Sequence, residues 1–118
     1  MNSSANEPVG SSVTDHPDRR AHPRFTAKVQ LELRQEGDDI PIRTETADLS
    51  RGGCYVQLSL TISLGTYVHG RLWLDGAPVQ FRGRIVTTHP QFGNGIMFLE
   101  FEGNGEELLG SYLDAIVD

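Results

Sequence analysis

The chain has 118 residues, with 10 basic against 16 acidic side chains, 37% hydrophobic residues, 13 glycines and a single cysteine. One domain's length excludes an α/β barrel or a doubly wound sheet. A net charge of −6 and a pI near 5.1 speak against a binder of nucleic-acid polymers, whose affinity comes mainly from neutralised phosphates.

The charge is unevenly placed. Residues 1–18 contribute −3 with no base, residues 19–99 hold all 10 basic side chains and sum to +3, and residues 100–118 contribute −6. Nine of the ten bases are arginine, whose planar fork pairs bidentately with phosphate or with guanine O6 and N7. Arginine-favouring codon usage accounts for the bias equally well, so a small anionic ligand stays open. MNSSANEPVG at the start has neither a basic opening nor an apolar stretch, and no run approaches the roughly 20 apolar residues of a membrane helix. With one cysteine and no internal disulfide, a cytoplasmic protein is expected.

In chain order, residues 1–18 are rich in Ser, Asn, Asp and Pro, which predicts a flexible N-terminal arm ahead of a single domain over 19–118. Periodicity begins at Phe25. Phe25, Ala27, Val29, Leu31 and Leu33 alternate with polar neighbours, so a strand with one buried face is expected over 25–34. Glu36, Gly37, Asp38 and Asp39 turn the chain into a second strand over 40–49, and after Ser50 to Gly53 a short third covers 54–58. Leu60, Ile62 and Leu64 read as an apolar crossover. Val68, Leu72 and Leu74 then alternate with Tyr67, His69, Arg71 and Trp73; Asp75 and Gly76 signal a turn, and Val79, Phe81, Gly83 and Ile85 complete a hairpin. A further turn at 92–95 opens the run 96–101, whose nearly unbroken apolar character predicts a strand buried on both faces.

Only the tail changes period. Leu108, Leu109, Tyr112, Leu113, Ile116 and Val117 form the stripe of an amphipathic helix over 104–117, with Asn104 and Glu107 as a capping pair. Glu106 and Glu107 stand where the helix dipole favours anions. The expected class is all-β: a small six-stranded antiparallel β-barrel, closed so that no edge is exposed, with a C-terminal α-helix.

Little suggests catalysis. His16, His22, His69 and His89 have no carboxylate or cysteine partners at metal-ligand spacing. Cys54, in an alternating strand beside Val56 and Leu58, reads as a core thiol. Ser50 has Asp48 nearby but no histidine close in sequence, and no glycine loop leads from a strand into a helix. The expectation is a chain that is not an enzyme, with no catalytic residues, no metal and no cofactor.

Two segments stand out. RRAHPRF, 19–25, gathers Arg19, Arg20 and Arg24 where the arm meets the first strand. Pro23 biases His22 away from helix, so in an extended chain Arg20 and Arg24 lie roughly 13 Å apart at about 3.3 Å per residue. A bend at His22 and Pro23 brings them onto one anion; a solvated basic linker fits the segment as well. DLSRGG, 48–53, taken singly is an ordinary tight turn, with Asp and Ser bonding their own backbone and the glycines admitting positive φ.

Together and in this order, the segments resemble the motifs of the PilZ domain family. R-x-x-x-R before the first strand is carried by Arg20 and Arg24, and D/N-x-S-x-x-G by Asp48, Ser50 and Gly53. The resemblance covers about 19–101 and implies binding of cyclic di-GMP, a bacterial second messenger, on the outside of the barrel. Arg20 and Arg24 would clamp phosphate or guanine, Asp48 would accept from guanine N1 and N2, and Ser50 would bond phosphate or base. Gly53, with Gly52 beside it, would keep the turn free of a Cβ. Arg19 extends the motif, which in similar domains accompanies two stacked, intercalated ligand molecules, so a bound dimer is expected.

The resemblance thus implies a stand-alone monomeric receptor in which ligand orders the arm and alters a surface for an unidentified downstream protein. The terminal helix and the Tyr67, His69 and Trp73 face are places to look, packing of that face under the helix being the commoner arrangement. Two other classes remain. One is a protein-interaction adaptor of PilZ-like fold with weak or no nucleotide binding, although such proteins usually lack both motifs. The other is a small barrel for single-stranded nucleic acid, which calls for a basic groove interleaved with aromatics; here the aromatics are few and mostly in core register.

Overall fold

In the computed structural model, which describes residues 23–117, the period of two that starts at Phe25 survives folding. Ala27, Val29, Leu31 and Leu33 are buried while Thr26, Lys28 and Gln30 face solvent. The arm expected over 1–18, with Arg19 and Arg20, lies outside the described residues. The single strand expected over 25–34 is divided into β1 (Phe25–Thr26) and β2 (Gln30–Gln35). Both run antiparallel to β3 (Ile42–Leu49), Thr26 facing Asp48 and Gln30 facing Glu45. Three residues of one chain thus oppose two of the other, a bulge. Buried Thr46 closes it: its Oγ1 donates to the Ala27 carbonyl at 2.6 Å and accepts the Val29 N–H at 3.0 Å.

A second irregularity lies on the other edge of β3. Here β4 (Gly53–Val56) pairs Val56 with Thr46 and Tyr55 with Asp48, so Ala47 is the extra residue. Thr46 points inward, and so does Leu49 three residues later. The phase has slipped by one, and Asp48 is left on the outer side.

β5 (Tyr67–Leu74) and β6 (Ala77–His89) form the expected hairpin, with Asp75 at φ 52° and Gly76 at φ 84°, the two positive angles of the tight turn that Asp-Gly favours. β7 (Gly93–Phe101) follows, and the hydrogen-bonded order β3, β2, β5, β6, β7, β4 returns to β3. The result is a closed six-stranded antiparallel barrel, without the free edges that an open sheet exposes.

One apolar cluster fills it, including Leu31, Leu33, Leu49, Val56, Leu72 and Ile85. Near the β6–β7 turn, Ile62 of the crossover enters the cluster, held by Thr88 Oγ1 on its carbonyl at 2.7 Å and by Asn94 Oδ1 on its N–H at 3.2 Å. Toward the other end of that hairpin, α1 (Gly105–Val117) inserts Leu109 and Leu113, one turn apart, while Gly105 lies against Val79 and Phe101. The helix covers an end of the barrel and leaves the outer face of β5 open, with Tyr67 38% and Trp73 36% exposed. No helix among the described residues is long and apolar enough to cross a membrane.

β7 departs from expectation. It begins at Gly93, and only Ile96 of its apolar run is fully inside; Met97 and Leu99 are 40% and 41% exposed. The run is unbroken because apolar residues occupy the outer positions too, so it is a one-sided strand with an apolar outer surface.

Cys54 is a buried core thiol. Burial pushes it up to about 12, Asp48 adds to the rise and Arg24 opposes it. An unfolded thiol ionises near pH 8.5, so above that value the unfolded state releases a proton that the folded state keeps, and stability falls as pH rises. At pH 8 iodoacetamide is expected to spare Cys54 in native buffer and to label it rapidly in urea; rapid native labelling contradicts its burial. Thr46→Val is expected to cost about 1–3 kcal/mol in urea denaturation, since it strands the Ala27 carbonyl and the Val29 N–H together. A change under about 0.5 kcal/mol means that the bulge closes without the hydroxyl.

Candidate ligand groove

The turn between β3 and β4 is built by Ser50. Its Oγ accepts the N–H groups of Gly52 and Gly53, each at 3.1 Å, and donates to the Gly53 carbonyl at 3.2 Å, while its own N–H bonds that carbonyl at 2.8 Å. The hydroxyl is thereby engaged inside the turn. Gly53 is required for a different reason: a Cβ there would collide with the carbonyl oxygen of Ile96 in β7. The Gly52 carbonyl takes the Phe98 N–H at 2.8 Å, tying the turn to the same strand. Arg51 points away to α1, donating to Asp114 Oδ1 at 3.0 Å and to the Gly110 carbonyl at 3.4 Å.

Asp48, turned outward by the Ala47 bulge, meets Arg24. Arg24 Nη1 and Asp48 Oδ2 are 3.6 Å apart, with 41% and 28% of the two side chains exposed. Asp48 Oδ1 is buried and has no hydrogen-bond partner among the described residues. Beside this pair a groove of about 440 Å³ opens on the outer surface, within the size range of small-molecule sites. Arg24, Ser50, Gly52 and Gly53 line one side of it, and Val86, Thr87, Gly95 and Met97 the other. The arrangement offers an arginine, a turn kept free of Cβ at two half-buried glycines, and a largely apolar floor on which a planar group can lie.

Arg24, 24 positions before Asp48 in the sequence, is thus brought beside the segment that holds Asp48, Ser50, Gly52 and Gly53, whereas Arg19 and Arg20 lie outside the described residues. Sequence reasoning misses the far wall. Met97 belongs to the run read as buried on both faces, and alternation from buried Ile96 turns it outward, while Val86 and Thr87 reach the groove at a register shift between β6 and β7 that no local pattern signals. Two further grooves, of about 290 and 480 Å³, lie over β2 and β5 and contain none of the motif residues. Among the described residues no three His, Cys, Asp or Glu side chains gather as a metal site.

A family model described as "PilZ domain" matches residues 18–115. Among solved structures, the PilZ domain of CeSA from a cellulose-synthesizing bacterium superposes with a TM-score of 0.65 at 23% identity, covering 80% of this chain and 98% of that one. The Bacillus subtilis inhibitor of motility MotI/DgrA gives a TM-score of 0.69 at 17% identity over 84% of this chain, which spans only 51% of that protein. At these identities the two structures speak for the fold alone. Comparison with curated protein sequences finds no match. With the closed barrel and its terminal helix in place, and the family model matching residues 18–115, the chain belongs to the PilZ domain family.

Proposed function

We propose that this chain is a receptor for cyclic di-GMP, taken up in the groove between Arg24 and Met97. The observation that supports it is the meeting of the two sequence motifs: Arg24 of one stands 3.6 Å from Asp48 of the other, at the rim of a groove of about 440 Å³. The ligand carries two phosphates and two guanines, and a guanidinium serves either group. In this reading Arg20 and Arg24 take phosphate or the guanine Hoogsteen edge. Asp48 accepts from guanine N1–H and N2–H once its carboxylate turns from Arg24 toward the groove. Ser50, Gly52 and Gly53 act chiefly through the turn they hold, presenting backbone and space rather than a free hydroxyl. Arg19 supports the uptake of two stacked ligand molecules.

Ligand competes with Arg24 for Asp48. A partly exposed pair at 3.6 Å is weak, so exchanging it for ligand contacts costs little. The output is a change of outer surface at the groove and at the chain segment preceding Arg24, read by a protein partner. The uncovered face of β5, with Tyr67 and Trp73, has the residue types that protein interfaces favour.

Calorimetric titration with cyclic di-GMP tests this. Wild type is expected to bind, with two ligands per chain, and Arg20→Ala, Arg24→Ala and Asp48→Ala each to lose about 1–3 kcal/mol of binding. Absence of binding by wild type, or undiminished affinity in all three variants, rejects the reading. A stoichiometry of one rejects the stacked pair and leaves the receptor.

A further inference from the structure

The groove has an arginine on its other side. Arg84 of β6 lies directly across from Met97 of β7 and on the same outer face as Val86 two residues on, and Met97 and Val86 both line the groove. Strand pairing sets an outer row of Gly53, Met97, Arg84 and Tyr67 across β4, β7, β6 and β5. At about 4.8 Å between strands, Arg84 stands roughly 10 Å from Gly53. Arg24 precedes β1, beyond β3 and β4 in the opposite direction, so the two arginine positions lie on opposite sides of the floor, with the Arg84 guanidinium turned toward β5.

The neighbours of Arg84 leave it available. Its Nε donates to the Gly65 carbonyl at 3.4 Å, a long bond, and no carboxylate pairs with it among the described residues. Its guanidinium lies 5.4 Å from the centre of the Tyr67 ring. That ring is itself fixed. Arg82 packs on it at 4.3 Å and is held in turn by Glu36 through bonds of 3.2 and 3.3 Å. Arg82 and His69 keep the Glu36 carboxyl below its usual range, so at neutral pH it is the charged partner Arg82 needs. Arg82 is thus committed to Glu36, and Arg84 rests on a shelf with one long bond to Gly65 and its Nη donors unspent among the described residues.

We propose that Arg84 is a guanine-reading residue of this groove, turning from the Gly65 carbonyl onto O6 and N7 of a purine seated over Met97 and Val86. The proposal rests on the cyclic di-GMP reading above and adds to it a base-specific contact outside both sequence motifs. A flat apolar floor suits the face of a base rather than a phosphate, and the pairing of one arginine with both O6 and N7 is the commonest arginine contact specific for guanine. Adenine offers a donor where guanine offers O6, so the same residue disfavours adenine.

The test is a cycle of two ligands against two proteins by calorimetry: cyclic di-GMP and its 7-deaza analogue, which lacks N7, with wild type and with Arg84→Ala. Arg34→Ala, whose guanidinium bonds the Asp38 carbonyl away from the groove, is the control. Wild type is expected to bind the analogue more weakly than cyclic di-GMP. Arg84→Ala is expected to bind cyclic di-GMP roughly 5- to 150-fold more weakly than wild type and to be less sensitive to the loss of N7. Arg34→Ala should match wild type with both ligands. Unchanged cyclic di-GMP affinity in Arg84→Ala removes Arg84 from the site and leaves the receptor standing. A loss identical for both ligands overturns the guanine contact, since any purely structural or charge effect treats them alike. Failure of wild type to bind cyclic di-GMP overturns the receptor reading, and this assignment with it.

Discussion

β3 is hydrogen-bonded along both edges, to β1 and β2 on one side and to β4 on the other, and the barrel closes only because it accommodates both registers. Two irregularities make this possible: the extra residue opposite Thr46 on the β2 side, and Ala47 on the β4 side. A bulge bends the strand and increases its twist, which a small closed sheet needs at its corners. The next turn must then return at once against β7, close enough that Gly53 meets the Ile96 carbonyl without room for a Cβ. Ser50 locks that turn from inside. The residues that close the barrel are therefore the residues that border the groove, and the site inherits its rigidity from the closure.

Asp48 shows the consequence. Without the slip at Ala47 its carboxylate would fall in step with Thr46 and point into the core; with the slip it stands outside, next to Arg24. Most of the motif serves geometry, since Ser50 and Gly53 are accounted for by the turn alone. Arg24 and Asp48 are the members with chemistry to offer a ligand. The acidic average of the chain has little bearing on them, because the bases are all between positions 19 and 84 and the acids concentrate toward the two ends.

Features that depend on period and on local turn chemistry are legible in the sequence. The alternation from Phe25, the Asp75–Gly76 turn and the stripe that begins at Leu108 each carry their structure within a few residues. The bulges are not legible, because Ala27, Val29 and Leu31 alternate as smoothly across an interrupted strand as along a continuous one. β7 misleads for a related reason: Met97 and Leu99 are apolar yet outward, and composition alone does not distinguish a strand buried on both faces from one with an apolar outer surface. The two motifs are visible as strings, but the meeting of Arg24 with Asp48 comes from the pairing of β1 with the end of β3. The position of Arg84 beside the groove needs the register of three strands, and no short segment contains that.

A barrel packed around one cluster resists continuous deformation, so occupancy of an outer groove is poorly transmitted through the core. Cys54 and Ile96, the core residues that border the groove, are almost fully buried, and moving them would open cavities in that core. Signals from such a site travel along the surface. Arg51 ties the groove's turn to Asp114 and the Gly110 carbonyl on α1, and Arg84 leads from the groove to Tyr67 on the open face of β5. Both links are exposed and weak, of the kind that exchange partners at small cost. In the function proposed above, a ligand in the groove is therefore reported by a change in which charged and aromatic groups the surface displays, while the barrel beneath stays as it is.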